Sequence, residues 1–381
     1  MSRSNIPSDT PRWRRRPTAA NDFWKRLSDG LEVQQLWNQF RTEARSSYDF
    51  YSQDVDLSEL KKGRGIGWGM RVAKAWFWSI VMKLSPSRRV VLVLALLLAA
   101  IGDFKFSIQS THIDLDFRPL SFLLLLVLLV LELSDRVTMK RDLQIARDIQ
   151  RWLSPETPPL VPGVDVSFTT RPANTVSGDY YDAFLLDDEG KRLLLVVADV
   201  AGKGVPAAIL MASLQGCLHS CARDFAEPLP LVERLNEFTC ARSLDGQRFT
   251  TAFLAELDVD SRVLRYVNAG HELPVLRRAD GRIERLETGG LPLGVVRHTT
   301  HQSGTVTMEP GDLLFVFSDG LIDAQNEDGV EFSDGSVVDA VRVMSSHSAE
   351  GAIRSMIERV DLFSGETRRD DDITCLALRV V

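Results

Sequence analysis

Residues 193–212 read LLLVVADVAGKGVPAAILMA, and this stretch indicates a strand, a tight turn and a helix. Its apolar start is typical of a buried strand that ends at Asp199. The turn Ala201-Gly202-Lys203-Gly204 follows, and Val205–Arg223 then has the composition of a helix. Aspartate is uncommon in strands, so a carboxylate at the tip of a buried strand needs solvent or a cation. The two glycines let the backbone pass close to such a site.

From Val164 to the C-terminus, short β-like runs are joined by hairpin-type turns, with helical stretches between some of them. The predicted strands are VDVSFTT, YYDAFLLD, KRLLLVVADV, FTTAFLAELDV, RVLRYVNAG, PVLRRA, DLLFVFSDG and DITCLALRV. The predicted helices are Val205–Arg223, Leu229–Leu244, Gly335–Ser345 and Glu350–Phe363. Because helices do not regularly separate the strands, the pattern favours a mainly antiparallel α+β layered domain over a doubly wound parallel sheet.

Aspartates stand beside small residues at four strand ends. They are Asp179, Asp199, Asp319 and the pair Asp371 and Asp372. If these tips converge, the absence of His and Cys companions describes an all-oxygen site for Mg²⁺ or Mn²⁺. The alternative is that each aspartate starts a turn or caps a helix. Spacing alone leaves both interpretations open.

Several other classes of site are excluded by the sequence. The Ala201–Gly204 turn lacks the first glycine of a nucleotide P-loop, and Gly204 occupies its Ser/Thr position. The four cysteines form neither a disulfide framework nor a zinc-ligand spacing, which indicates reduced thiols in a cytosolic domain. No basic or aromatic groove pattern supports nucleic-acid binding.

The N-terminal part of the chain differs in charge from the rest. Residues 1–89 contain 17 Lys and Arg against nine Asp and Glu, whereas the whole chain has a net charge of -7. We interpret residues 1–86 as a basic cytoplasmic region that faces an anionic membrane surface.

Two apolar runs, Val90–Gly102 and Leu120–Leu133, follow this basic region. Both are apolar on every face, which predicts two transmembrane helices within residues 87–134, although buried core helices are the alternative. Basic residues flank the outer sides of the pair, so both chain ends are expected in the cytoplasm, with a short external loop. The expected location is a bacterial inner membrane, crossed twice, with the C-terminal domain in the cytoplasm.

Residues 135–160 are predicted to form a linker helix that ends at a Pro-rich segment. One apolar stripe has coiled-coil spacing and is expected to face a second protomer: Met139, Leu143, Ala146, Gln150 and Leu153. A second stripe is expected to dock on the following domain: Ile145, Ile149 and Trp152. The linker is therefore interpreted as the dimerisation element of a homodimer, with a passive tether as the alternative.

From about Leu143 to Val381 the chain resembles the SpoIIE/RsbU-type branch of the bacterial PPM (protein phosphatase 2C-like) serine/threonine phosphatases. Eight motifs occur in family order: ARDIQRWLSP (146–155), RPANTVSGDYYDAF (171–184), VVADVAGKGVPAAILMA (196–212), FTTAFLAELD (249–258), NAGHELPVL (268–276), GGLPLGV (289–295), SDGLIDAQN (318–326) and DDITCLALR (371–379). The resemblance implies that residues 161–381 form a PPM-type sandwich of two antiparallel β-sheets flanked by helices. The expected architecture thus consists of a transmembrane hairpin, a linker helix and this sandwich.

The resemblance also implies a centre of two Mn²⁺ or Mg²⁺ ions that activate a water molecule. The expected catalytic and metal-ligating carboxylates are Asp179, Asp199, Asp319 and Asp371. The Val200 carbonyl adds an oxygen, and Asp372 is a weaker metal ligand that instead orients its neighbours. His271 is assigned to a turn rather than to general acid catalysis.

The family implies a protein serine/threonine phosphatase that removes phosphate from phosphoserine or phosphothreonine. Its expected partner is a phosphorylated STAS-type anti-anti-sigma factor. The alternative is a catalytically silent signalling scaffold that uses the same fold. The complete set of aspartates favours the enzyme.

Overall fold

A computed structural model describes residues 77–78, 81–108, 111–242, 248–365, 367 and 369–381. The chain divides into two units, with the boundary between Ser134 and Asp135. The interpretation of residues 1–86 as a basic cytoplasmic region falls almost entirely outside the described residues and stays a prediction.

In the first unit, both predicted apolar runs are helical. Helix α1 spans Pro86–Ile101, and helix α2 begins at Arg118 and continues to Leu153 in the second unit. The Ser121 hydroxyl donates a hydrogen bond to the Ala95 carbonyl at 2.7 Å, so the two helices touch within this unit. The residues between them, predicted as a loop, instead form an antiparallel hairpin of β1 (Asp103–Ile108) and β2 (Thr111–Asp116).

Within the described ranges, one helical stretch is long and apolar enough to cross a membrane, namely Val205–Asp224. It lies in the second unit, where Ala207, Met211 and Leu218 are buried in a core shared with a sheet. Helix α1 has 16 residues. The membrane hairpin at 87–134 therefore stays a prediction.

The second unit contains strands and helices in two groups. Its strands are β3 (Val164–Arg171), β4 (Asp179–Leu185), β5 (Arg192–Val200), β6 (Thr250–Asp258), β7 (Val263–Ala269), β8 (Val275–Arg277), β9 (Ile283–Arg285), β10 (Gly289–Gly290), β11 (Gly304–Thr307), β12 (Leu313–Phe317) and β13 (Ile373–Val380). Its further helices are α3 (Val205–Cys221), α4 (Pro228–Cys240), α5 (Asp319–Ile322), α6 (Asp334–Arg342) and α7 (Ala349–Ser364). The predicted helices Leu229–Leu244 and Gly335–Ser345 thus end earlier than expected, at Cys240 and Arg342.

The strands form two sheets. Sheet 1 has the order β10-β7-β6-β5-β4, with β11 also paired to β7, and sheet 2 has the order β3-β13-β12-β8-β9. All neighbours pair antiparallel except the two-residue strand β10 and β7, which are parallel, so the sheets are mainly antiparallel, as predicted. The predicted α+β architecture of this unit is confirmed.

Three apolar clusters hold these layers together. One lies between the sheets and includes Val197 and Phe253 of sheet 1 with Val316 and Leu376 of sheet 2. A second joins sheet 1 to α3 and α4, and a third joins sheet 2 to α6 and α7. Since the central strands are apolar on both faces, each sheet must be covered on its outer side by helices. The result is a four-layer sandwich in which the strand ends lie outside the apolar layers and can carry polar side chains.

The C-terminal part of α2 belongs to the second unit, and the stripe that was predicted to dock on the domain is exposed instead. Ile145, Ile149 and Trp152, predicted to dock on the domain, are exposed, with Trp152 83% accessible. In contrast, Gln150 hydrogen bonds to Ser177 of the domain. The assignment of Gln150 to a seam with a second protomer is therefore wrong, because its amide is satisfied within its own chain.

Candidate active site

Sheet 1 places two of the predicted aspartates face to face. Asp179 is the first residue of β4, and it pairs directly with Asp199 near the end of β5. The turn after β5 contains Gly202 and Gly204, with φ of 104° and 77°, a region that residues with a side chain rarely adopt. This turn reverses the chain into α3 beside the two carboxylates, as the sequence predicted.

Sheet 2 contributes the other aspartates from its two central strands. Asp319 begins α5 directly after β12, and Asp371 and Asp372 precede β13. The Ser318 hydroxyl accepts a hydrogen bond from the Thr374 amide at 2.9 Å and donates one to the Asp372 carbonyl at 3.1 Å. These bonds hold the ends of β12 and β13 side by side.

Electrostatic coupling shows that the four strand ends converge. Burial raises the pKa of Asp199 to about 7, and the Asp319 carboxylate adds to the rise, followed by Asp371. Burial also raises the pKa of Asp179 well above its ordinary value, reinforced by Asp199. For Asp319, burial and then Asp371 raise the pKa. Carboxylates of both sheets therefore repel one another across a shared site, where each favours a proton or a cation.

The chemistry of this cluster suits a hard divalent cation. The Oδ2 atom of Asp179 is buried and has no hydrogen-bond partner. A side chain at position 178 would be crowded, because a Cβ on Gly178 would lie 3.1 Å from the Val200 carbonyl oxygen. As the side chains stand, however, no three His, Cys, Asp or Glu groups of the described residues are arranged to hold a metal ion together. The site thus contains the oxygen ligands that a divalent cation prefers, but their side chains do not surround one common point.

Asp372 has different surroundings from the other aspartates. Its Oδ1 accepts a hydrogen bond from the Ala173 amide at 2.7 Å, and its Oδ2 accepts one from the Gly178 amide at 3.1 Å. Both oxygens are therefore occupied by the segment that leads into Asp179. This geometry favours the orienting role over direct ligation.

Lys203 is a site residue that the sequence interpretation missed. Its ammonium lies 2.7 Å from the Asp371 Oδ2 and donates to the Asp370 carbonyl at 2.7 Å. It lines a cavity of about 170 Å³ together with Gly320 and Asp323. The sequence did contain a signal for this residue, since Lys203 places a positive charge in the glycine turn after Asp199. Its acidic partner, however, is far away in the sequence.

His271 lies in a turn, as expected. Its amide donates to the Asn268 Oδ1 at 2.7 Å, and the Asn268 amide returns a bond to the His271 carbonyl at 3.0 Å. The ring nitrogen Nδ1 lies 3.1 Å from the Thr251 hydroxyl. Burial lowers the pKa of His271 to about 4, so the imidazole is neutral at neutral pH.

Comparison with known proteins identifies the family of the chain. The family model of Stage II sporulation protein E (SpoIIE) matches residues 189–381. Phosphoserine phosphatase RsbU of Bacillus subtilis (strain 168) is 28% identical over 245 residues, which cover 63% of this chain and 70% of RsbU. Protein IcfG of Synechocystis sp. is 28% identical over 279 residues, which cover 66% of this chain but only 43% of IcfG.

Solved structures are similar over the same part of the chain. The RsbU and RsbW domains of Rv1364c from Mycobacterium tuberculosis match with a TM-score of 0.51 and 29% identity, over 60% of this chain and 62% of that one. The SiaA-PP2C domain of Pseudomonas aeruginosa matches with a TM-score of 0.57 and 20% identity, over 65% of this chain and 98% of that domain, which shows the shared fold. The C-terminal domain is a protein serine/threonine phosphatase domain that shares its fold with the SiaA-PP2C domain, and the chain belongs to the SpoIIE family.

Proposed function

We propose that this chain is a membrane-anchored, metal-dependent phosphatase that hydrolyses phosphoserine or phosphothreonine on a regulatory protein. The observation that carries the proposal is the convergence of carboxylates from both sheets, where burial and then the Asp319 charge raise the pKa of Asp199 to about 7. Carboxylates with strongly raised pKa values that share one site are typical of functional sites, and binding divalent cations is the role that this donor set fits.

Asp179, Asp199, Asp319 and Asp371 would hold two Mn²⁺ or Mg²⁺ ions, with the Val200 carbonyl as a further ligand. Such ions neutralise charge on phosphoryl oxygens and lower the pKa of water to make it a nucleophile. Asp372 keeps the segment before Asp179 in place through its two backbone hydrogen bonds. A cation near Asp371 would repel the Lys203 ammonium, which would then be free to bind an oxygen of the phosphate group.

A covalent cysteine mechanism does not fit this site. Cys375 is close enough to Asp179 to be affected by its charge, but it is fully buried, and burial raises the pKa of its thiol. The thiol therefore stays protonated and is a poor nucleophile. Hydrolysis by a water molecule requires no such group.

The protein substrate is proposed from the relatives. RsbU and RsbP of Bacillus subtilis are both named phosphoserine phosphatases. We infer that the substrate here is also a phosphorylated regulatory protein, of the STAS anti-anti-sigma type. A mixture of the purified chain and such a phosphoprotein should release inorganic phosphate.

Membrane anchoring is supported by the first unit. The apolar side chains of α1 and of the N-terminal part of α2 are largely exposed, with Val90 67% and Phe122 68% accessible. Exposed apolar side chains on the outer faces of paired helices suit a lipid environment. The proposed location is a bacterial inner membrane, with the phosphatase domain in the cytoplasm.

Dimerisation is proposed through the exposed stripe of α2, which contains Ile145, Ile149 and Trp152. Ile149→Glu should weaken self-association of the full chain in detergent, because it places a charge in an apolar contact. Gln144→Glu, on an exposed position of the same helix, is the matched control. Equal dimer fractions in both variants would contradict this interface.

The proposed activity is tested with the full chain in detergent and a phosphoserine peptide. We expect phosphate release that requires Mn²⁺ and stops when EDTA is added. A protein that binds the phosphopeptide but releases no phosphate at any Mn²⁺ concentration would instead be the catalytically silent scaffold.

A further inference from the structure

A cavity of about 170 Å³ lies beside the candidate metal centre, where Lys203 and Asp371 form part of its wall. Its other walls are the end of α5, the connection from α5 to α6 and the end of α7, which contribute Asp323, Glu331 and Ser364. Lys203 and Asp371 belong to the candidate active site, whereas these three side chains have no part in the proposed hydrolysis. The cavity is therefore a place where a substrate can be recognised beside the reacting phosphate.

Asp323 and Glu331 bring two carboxylates to one side of this cavity. The Asp323 amide donates a hydrogen bond to the Asp319 carbonyl at 2.9 Å, so Asp323 stands one helical turn after Asp319. Glu331 reaches the same place because it pairs with Gln325 across a turn. Burial raises the pKa of Asp323, and the nearby Glu331 charge adds to the rise. These two carboxylates, called the acidic pair below, are therefore close enough to repel each other.

The basic side chains around the cavity have acidic partners of their own. Lys203 pairs with Asp371 at 2.7 Å, and Arg369 pairs with Asp361 at 2.5 Å. In the part of the chain that the structure describes, neither member of the acidic pair forms an ion pair with a basic side chain. The acidic pair therefore carries negative charge that no described side chain neutralises.

Ser364 points to a ligand in the cavity independently of these charges. Its hydroxyl oxygen is buried and has no hydrogen-bond partner among the described residues, and the residue is only 6% accessible. The preceding residue, Phe363, packs edge-on against Phe332 with 5.4 Å between the ring centroids, which fixes the end of α7 beside Glu331. Because a buried hydroxyl without a partner is costly, a polar ligand group that bonds to it is favoured.

An ammonium or guanidinium group fits this arrangement best. Both groups are hydrogen-bond donors only, and the acidic pair and the Ser364 hydroxyl supply three acceptors. A phosphate or a carboxylate would be repelled by the acidic pair. A divalent cation prefers many oxygen ligands and finds more carboxylates at the candidate metal centre nearby.

We propose that Asp323, Glu331 and Ser364 form a subsite that binds a lysine or arginine side chain of the phosphoprotein substrate, close to the phosphorylated residue. The inference rests on the proposed phosphatase function. Side chains one helical turn apart, such as Asp319 and Asp323, have Cβ atoms about 5–6 Å apart. An extended peptide rises about 3.3 Å per residue, so a basic residue within about two positions of the phosphoserine reaches the acidic pair while the phosphate lies at Asp319.

The test uses the full chain in detergent with Mn²⁺ and a set of phosphoserine peptides that are otherwise alanine. Each peptide carries one lysine at about one or two positions before or after the phosphoserine. Its matched partner carries norleucine there, which keeps the lysine stem without the charge. At one position or more, we expect kcat/KM of the lysine peptide to exceed that of its partner about fivefold, through a lower KM, as for a partly exposed ion pair.

In the double variant Asp323→Asn, Glu331→Gln, the ratio of kcat/KM for the lysine and norleucine peptides should fall to about one, because the charges that attract the lysine are gone. A ratio is independent of a general loss of activity, so it isolates the subsite. Ser364→Ala should lower the ratio about twofold, the scale of one hydrogen bond. Asp328→Asn, exposed in the same connection, is the control and should keep the wild-type ratio.

Equal kcat/KM values for lysine and norleucine at every position in the wild type would overturn the proposal, as would an undiminished preference in the double variant. If the double variant does not fold, Glu331→Gln alone replaces it, and an unchanged ratio in that protein would be the same contradiction. If the wild type hydrolyses no peptide, the proposed function fails. Fluorescence anisotropy of labelled lysine and norleucine peptides then still decides the subsite, and equal Kd values would overturn it.

Discussion

The two sheets supply carboxylates to the same site, but they neutralise the charge in different ways. In sheet 1, Asp179 is buried, its Oδ2 has no partner, and its pKa is raised well above the ordinary value. In sheet 2, Asp371 is 36% accessible and pairs with the Lys203 ammonium at 2.7 Å. Without a cation, burial and mutual repulsion raise the pKa values of the sheet 1 pair, while a lysine offsets the charge on the sheet 2 side. To hold a cation, the sheet 1 pair would have to be ionised, and on sheet 2 Asp371 would have to give up its contact with Lys203.

The largest expected effect comes from the sheet 1 pair. Asp199→Asn should lower kcat for Mn²⁺-dependent phosphopeptide hydrolysis by about 1,000-fold or more, since the metal contribution is several kcal/mol. Asp188→Asn, at a highly exposed turn between β4 and β5, is the control and should keep wild-type turnover. Near-wild-type turnover of Asp199→Asn at saturating Mn²⁺ would remove Asp199 from the ligand set.

Asp372→Asn should have the next largest effect, through the sheet 1 segment that it holds. An asparagine side chain has one oxygen, so it cannot accept from the Ala173 and Gly178 amides in the same way. We expect Mn²⁺ affinity to fall by about 10- to 100-fold, with a smaller change in kcat at saturating metal. Titration calorimetry with Mn²⁺ measures this, and a kcat loss as large as that of Asp199→Asn would make Asp372 a direct ligand instead.

Lys203→Met tests the sheet 2 side of the comparison. Removing the ammonium should raise KM for the phosphopeptide by about tenfold, the scale of a charge-assisted hydrogen bond. The same change should leave Mn²⁺ affinity equal or slightly higher, because the lysine no longer competes with the cation for Asp371. A large loss of Mn²⁺ affinity would show that Lys203 supports the metal site rather than the substrate.

The smallest expected effect is on the stability of the metal-free protein. The folded pKa of Asp199 is about 7 against an ordinary value of 3.8, so between these pH values the folded state holds a proton that the unfolded state has lost. The contribution of this group to the free energy of unfolding is thus complete below about pH 4 and is lost as the pH rises through 7. The measurement is the difference in unfolding temperature between the wild type and Asp199→Asn in the presence of EDTA. This difference, wild type minus variant, should decrease between pH 5 and pH 8. A constant difference would contradict the raised pKa.

Much of this site was predictable from local sequence. The apolar run before Asp199 and the one before Asp319 indicate strands with carboxylates at their ends, because burial demands apolar side chains and the tip returns to polar surroundings. The glycines at 202 and 204 indicate a turn with positive φ. The motif order then indicated the family and the sandwich.

Other features depended on distant contacts. Lys203 pairs with Asp371, which lies in the last strand connection, and Asp372 holds the segment before Asp179. No local spacing predicts these pairs, because they exist only when the edges of two sheets meet. For the same reason, the stripe with Ile145, Ile149 and Trp152 was wrongly assigned to the side that the domain covers. Helical periodicity shows that two stripes exist, but not which one the domain covers.

The sequence by itself determined the α+β class, the strand tips that carry carboxylates and the helical nature of the apolar runs. Each of these follows from interactions within a few residues or from the period of a single element. Only the tertiary structure decided that the tips of both sheets share one site, that Asp372 bonds to the segment before Asp179, and that Gln150 faces its own domain. These depend on the packing of elements that are far apart in the chain, where a side chain finds its partner by proximity in space.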